Sequence, residues 1–88
     1  MIVLYNKKFL KDLAAIPEID RLKIEQFVFN EARTIKSFHG LRSEKLQGYK
    51  NYYKVRFGNY RVGLKYENNI LSFERVLHRK EIYKYFPS

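Results

Sequence analysis

The apolar run Ile2-Val3-Leu4-Tyr5 reads as a short β-strand that stops at Asn6, whose side-chain oxygen suits the start of a helix. From Lys7 to about Ala15, Phe9, Leu13 and Ile16 recur at helical spacing. Pro17 then fits the first turn of a second helix, where its missing N–H has no helical partner to lose. In that helix Ile19, Leu22, Phe27 and Ile35 trace a broad apolar stripe, with Glu25, Glu31 and Arg33 off it, which predicts a helix running to about Lys36. After Phe38-His39-Gly40 the helical period fails, and the polar, turn-rich stretch to Gly48 is expected to be a connection. Tyr52 to Phe57, Tyr60 to Tyr66 and Ile70 to Leu77 are strand-length segments joined by Gly58-Asn59 and by a turn at Asn68-Asn69, the pattern of an antiparallel meander. Lys80 to Phe86 is too short for a stable free helix and is expected to dock Ile82 and Phe86 on the sheet edge. The fold class is α+β: a β-α-α-β-β-β order, with a helical hairpin packed on a small, mostly antiparallel sheet and a short C-terminal helical turn.

A two-residue loop at Gly58-Asn59 sets a register. Phe57 pairs with Tyr60, Arg56 with Arg61, Val55 with Val62 and Lys54 with Gly63. Alternation then sends Tyr53, Val55, Phe57, Tyr60, Val62, Leu64 and Tyr66 toward the helices, and Tyr52, Lys54, Arg56, Arg61, Gly63 and Lys65 to the opposite face. Arg56 facing Arg61 beside Lys54 costs on the order of 0.2–1 kcal/mol in a sheet. An anion reverses that penalty, because guanidinium groups hold phosphate in bidentate geometry, and Gly63 opposite Lys54 leaves room for a backbone or a ligand to approach. Carried through the next turn, the register puts Ser72 and Glu74 on the charged face, with Glu74 opposite Gly63, and Leu71, Phe73 and Leu77 on the core face. Glu74 reads as an ion-pair partner of Lys54 or Arg61, or as a proton acceptor. Arg75 breaks the alternation, which calls for a β-bulge or an edge-reaching guanidinium.

Charge sharpens this picture. The 88-residue chain carries 18 Lys+Arg against 9 Asp+Glu, a net charge of +9, and the excess favours a polyanionic partner. It is concentrated downstream: residues 1–44 hold 8 basic and 6 acidic side chains, residues 45–88 hold 10 and 3, and seven of the eight tyrosines lie in the second half. Basic and aromatic side chains interleaved in this way suit phosphates and unstacked bases. The length fits one domain spanning 1–88, and the absence of cysteine removes disulfides, thiol nucleophiles and Cys-based metal sites. No apolar run is long enough to span a membrane, so no membrane role and a cytoplasmic setting are expected. Two histidines, His39 and His78, and no clustered carboxylates leave metal, Ser/His/Asp and paired-acid chemistries without support, and no nucleotide-binding glycine loop is present. No cofactor or metal is expected. His78, beside an apolar strand end, reads as a packed or hydrogen-bonding residue ahead of a general acid or base.

Three segments together, Lys45-Leu46-Gln47-Gly48, Tyr53-Lys54-Val55-Arg56-Phe57-Gly58-Asn59-Tyr60-Arg61-Val62-Gly63 and Val76-Leu77-His78-Arg79-Lys80-Glu81-Ile82-Tyr83, resemble the RelE/ParE superfamily of type II toxins, in particular its RelE-like branch. The resemblance covers nearly the whole chain and implies a RelE-like fold. It also implies a ribosome-dependent endoribonuclease that cuts mRNA in the ribosomal A site without metal, neutralised by a RelB-like antitoxin. Carried over residue by residue, it makes Lys54, Arg56, Arg61, Arg79 and Tyr83 the candidate catalytic set. Tyr52, Lys65, Lys80 and Lys84 are candidates for RNA contacts around that set. Arg56 departs from the closest family pattern, which has lysine there, and Arg79 and Tyr83 are more tightly spaced than in it. The alternatives are a ParE-like poison of DNA gyrase and an RNA-binding module without catalysis.

Overall fold

The computed structural model describes residues 1–87. Strand β1 (Ile2–Tyr5) leads into helix α1 (Lys7–Ala14), with the Asn6 side chain accepting the Lys8 N–H at 3.0 Å as an N-cap. Helix α2 (Glu18–Glu25) starts after Pro17, whose carbonyl accepts the Asp20 and Arg21 N–H groups; the proline is the capping residue itself. α2 runs into a π-helical turn (Gln26–Glu31) and a last helical turn, α3 (Ala32–Thr34). The Ala32 N–H reaches the Phe27 carbonyl, the i to i+5 spacing of a π turn. Extended Ile35 ends the helix two residues ahead of the expected Lys36.

The apolar stripe of the second helix differs from the expected one, because within α2 Ile19 and Leu22 lie roughly 140° and 160° around the helix axis from Ile24. Ile24, Phe27, Val28 and Ala32 are the buried residues, whereas Ile19 (81%) and Leu22 (55%) are exposed. Phe27 joins the core as expected and Ile35 packs against it, but the first turns of α2 present Ile19 and Leu22 to solvent.

The sheet has five strands in the order β1-β5-β4-β3-β2: β2 (Glu44–Lys45), β3 (Tyr52–Phe57), β4 (Tyr60–Glu67) and β5 (Ile70–His78) beside β1. β1 runs parallel to β5 and every other pairing is antiparallel. The expected β3–β4 register is the observed one, from Phe57 opposite Tyr60 to Lys54 opposite Gly63. Gly58 has φ +57, and Asn68 and Asn69 have φ +52 and +63, the sign patterns of II′ and I′ hairpin turns. The segment after the 3-10 turn Phe38–Gly40 is not all connection, since Glu44 and Lys45 add a two-residue edge strand opposite Lys54 and Tyr53.

Between β4 and β5 the register shifts at Gly63/Leu64, so Glu74 is the extra residue of a bulge and Gly63 faces Arg75, not Glu74. Past the bulge the faces exchange. Val76 enters the main core, while Leu77 lies on the opposite face, against the expectation that it joins the core. Arg75 reaches past the end of β1 to α1, where its guanidinium donates to both Asp12 carboxylate oxygens at 2.7 and 3.1 Å, and Asp12 also accepts the Val76 N–H. These hydrogen bonds raise the Arg75 pKa above its already high ordinary value, against the opposing effect of burial.

Two apolar clusters result among the described residues. The main core lies between the helices and the sheet and joins Phe9, Leu13, Ile24, Phe27, Val62, Leu64, Leu71 and Phe73, among others. Tyr5 closes one side of it, its hydroxyl donating at 2.6 Å to the Val28 carbonyl within the π turn; burial raises the Tyr5 pKa. The second cluster lies on the other face, where Ile82 and Phe86 of the C-terminal segment, around helix α4 (Ile82–Tyr85), pack with Leu46 against Leu77 and Tyr52. The C-terminal turn therefore docks on the face of the sheet and not on its edge.

Candidate functional site

Strand alternation and the β3–β4 hairpin bring Lys54, Arg56 and Arg61 to the face away from the helical hairpin, and the C-terminal turn adds Tyr83 to it. The space expected above Gly63 is taken by the protein's own tail. A Cβ there would come within 2.7 Å of the Phe86 ring, so the glycine serves the approach of the tail. With Phe86 and Ile82 buried, exposed Tyr83 is carried over β3, and the Lys54 ammonium donates to its hydroxyl at 2.7 Å. Lys54 Nζ also lies 5.2 Å from the centre of the Tyr83 ring.

Arg56 and Arg61 are direct cross-strand partners, yet each has its own acceptor. Arg61 turns to the hairpin, donating to the Gly58 and Tyr60 carbonyls at 2.7 and 3.0 Å. Arg56 turns the other way, its Nε 3.4 Å from a carboxylate oxygen of Glu44 on β2. This divergence relieves the like-charge repulsion that the register alone implies. Arg79 joins the Arg61 end of the face through its backbone, its N–H donating to the Asn59 carbonyl at 2.7 Å, and its side chain is exposed.

The outer candidates are spread more widely. Lys65 pairs across the strands with Tyr52, its Nζ 5.6 Å from the ring centre and 3.7 Å from Glu67. Tyr52 packs edge-on against Phe86, with ring centres 5.6 Å apart, and so helps to seat the tail. Lys80 is exposed, and Lys84 lies 3.5 Å from Glu81 on α4. His78 accepts the Lys80 N–H at Nδ1 and meets the Tyr60 ring edge-on, the hydrogen-bonding role expected of it. Glu74 pairs with neither Lys54 nor Arg61; it accepts a hydrogen bond from Ser72 at 3.2 Å.

Two charged residues on the borders of the face had no sequence signal of their own. Glu44 is brought opposite Lys54 by a strand too short to show alternation. Arg42 packs its guanidinium over Phe57 and Phe27, at 4.9 and 5.5 Å from the ring centres, a contact between segments remote in sequence.

A small twisted sheet with a helical hairpin on one face, and a basic face partly roofed by a C-terminal turn on the other, defines a class of small bacterial and archaeal toxins. The family described as "ParE toxin of type II toxin-antitoxin system, parDE" matches residues 3–83. Toxin RelE3 of Methanocaldococcus jannaschii is 43% identical over 89 residues, covering 99% of this chain and 100% of the relative. The toxin in a crystal structure of a RelB-RelE antitoxin-toxin complex from Methanococcus jannaschii superposes with a TM-score of 0.77 at 39% identity, over 96% of this chain and 99% of that one. The isolated E. coli RelE toxin shares the fold, with a TM-score of 0.66 at 16% identity, over 94% and 90% of the two chains. The chain belongs to the RelE family of toxins of type II toxin-antitoxin systems.

Proposed function

We propose that this toxin is an endoribonuclease acting on mRNA in the ribosomal A site, by attack of a 2′-OH on the adjacent phosphorus with release of a 5′-OH and a 2′,3′-cyclic phosphate. The observation that carries the reading is the Lys54–Tyr83 contact of 2.7 Å on the face that also holds Arg56 and Arg61. Arg61 and Arg56 stabilise the charge that builds on the phosphoryl oxygens. Arg79 offsets the charge on the departing 5′ oxygen, which takes its proton from water, and Tyr83 orients or stacks on a base. Lys54, 2.7 Å from the Tyr83 hydroxyl, serves as an electrostatic clamp or as the base that takes the 2′-OH proton. Tyr52, Lys65, Lys80 and Lys84 lie around the track of the RNA.

Purified protein incubated with ribosomes carrying a defined mRNA and a vacant A site should cut at the A-site codon, mapped by primer extension. Arg61→Ala should lose about 10²–10³-fold in rate. An intact message after incubation with folded protein would overturn the proposal.

The family description favours a second reading, a ParE-like poison of DNA gyrase. Inhibition of supercoiling with no cut message would establish it. The partner we propose is a RelB-like antitoxin, supported by the M. jannaschii relative crystallised as a RelB-RelE complex. A net charge of +9 suits an acidic partner.

A further inference from the structure

Arg42 follows Leu41, whose side chain is buried together with that of Phe38, so the backbone beneath Arg42 is pinned to the core. Its guanidinium lies over Phe57, at the end of β3, and over Phe27, which is 2% exposed in the π turn. The two rings are themselves in contact, with centres 5.3 Å apart, and form a platform built from two elements. A guanidinium supported on aromatic faces keeps its in-plane N–H donors for another group. Among the described residues Arg42 makes no ion pair, although Glu44 is nearby and engaged with Arg56.

Two open clefts meet at this residue. One, of about 340 Å³, lies between Arg42, Glu44, Lys54 and Arg56, on the border of the candidate catalytic face. The other, of about 420 Å³, continues past Arg42 and Arg56 to Lys23 and Asp20 on α2, with Ile19 and Phe57 in its walls. Arg42 and Arg56 line both, so the basic surface does not end at β3 but turns around the sheet edge toward the helical hairpin. Four cations, Lys23, Arg42, Lys54 and Arg56, face two carboxylates along the track, and one of those is already paired. Open clefts with cations and exposed apolar walls fit a flexible polyanion that crosses the surface, with phosphates on the cations and bases against the apolar side chains.

We infer that Arg42 heads a second phosphate-binding subsite, which holds the backbone of single-stranded RNA as it leaves the Lys54–Arg61 face and passes toward α2. The inference rests on the ribonuclease reading and extends it to the RNA flanking the cut.

The test is fluorescence anisotropy with a labelled, fully 2′-O-methylated RNA of about 12 nucleotides, which cannot be cut and spans more than one subsite. Arg42→Ala and Arg42→Gln should each weaken binding about five- to tenfold and reduce the slope of log affinity against log salt by about 0.7 for one lost phosphate contact. Arg42→Gln keeps a planar group on the rings, so a loss shared by both variants reports charge and not a collapsed platform. On programmed ribosomes the same variants should need more toxin for half-maximal cutting.

Arg61→Ala, measured in parallel, separates the two readings. Weaker binding and a reduced slope in Arg61→Ala, with both Arg42 variants unchanged, would overturn the subsite and leave the function standing. No change in any of the three would overturn both. Equal weakening of RNA and of a polyglutamate peptide by Arg42→Ala would assign the surface to an acidic protein partner and overturn the RNA subsite.

Discussion

At the scale of single residues, the face is organised by the direction in which each cation turns. Arg56 and Arg61 share a rung of the β3–β4 ladder but are drawn apart by Glu44 and by the Gly58 and Tyr60 carbonyls. Their ground-state partners are weak, an exposed carboxylate pair and hairpin carbonyls, and an exposed ion pair is worth only about 0–1 kcal/mol. A phosphodiester that accepts two charge-assisted hydrogen bonds can replace such partners at little cost. Lys54 differs, since its ammonium already donates to Tyr83. If it acts as a charged clamp, Lys54→Arg should keep cleavage within about tenfold of the parent while Lys54→Ala loses about 10²–10³-fold, both read as single-turnover rates on programmed ribosomes. An arginine cannot give up its proton near neutral pH. Equal inactivity of the two variants would therefore make Lys54 the base that takes the 2′-OH proton.

At the scale of elements, the antiparallel meander was legible because three devices agree: two-residue turns of glycine and asparagine, period-2 alternation, and a charged side against an apolar one. The π turn and the β5 bulge were not. Each inserts a residue into a period. The bulge moves Leu77 to the opposite face and takes Glu74, still beside Ser72, out of register with Gly63. Ile19 and Leu22, ahead of the π turn, are exposed because they lie across α2 from Ile24. The sequence did flag the bulge through Arg75, whose observed bond to Asp12 combines both expected outlets, a bulge and an edge. Docking of the tail follows from its residues, Ile82 and Phe86, but its place does not, because Gly63 reads as room for a backbone or a ligand and not for the ring of Phe86. That glycine now has a different role: its missing side chain lets the Phe86 ring sit on β4 and sets Tyr83 over Lys54. Gly63→Ala should push the tail away and lower the cleavage rate at least tenfold, given that a displacement near 1 Å can cost about 10²-fold. Gly63→Ala combined with Phe86→Leu, which relieves the clash, should recover part of the rate. Failure of every Phe86 replacement to rescue, in proteins that melt like the parent, would remove the tail from the positioning of Tyr83.

At the scale of the whole molecule, charge and fold divide the chain at the same point. Residues 1–44, which supply β1 and the helical hairpin, are close to balanced, while residues 45–88, which supply β3, β4, β5 and the tail, hold 10 basic and 3 acidic side chains. The sheet's free face is thus the strong end of the molecule's field, and a polyanion meets Lys54, Arg56 and Arg61 before it meets the helices. An acidic antitoxin of the kind proposed above would feel the same field, so it and an RNA would compete electrostatically even where their footprints differ. Steering of this kind appears in the association rate and is screened by salt, whereas contacts made after docking appear in the dissociation rate. Raising NaCl from about 50 to 500 mM should therefore slow association of the toxin with its antitoxin by tenfold or more and change dissociation by less, as read by stopped-flow fluorescence. Reversing charge at Lys80 and Lys84, which border the face without pairing to Lys54, should flatten that salt dependence. An association rate indifferent to salt would mean that the +9 charge is not what brings the antitoxin to the toxin, and would shift the explanation to the exposed apolar residues Ile2 and Leu4 on β1 and Ile19 and Leu22 on α2.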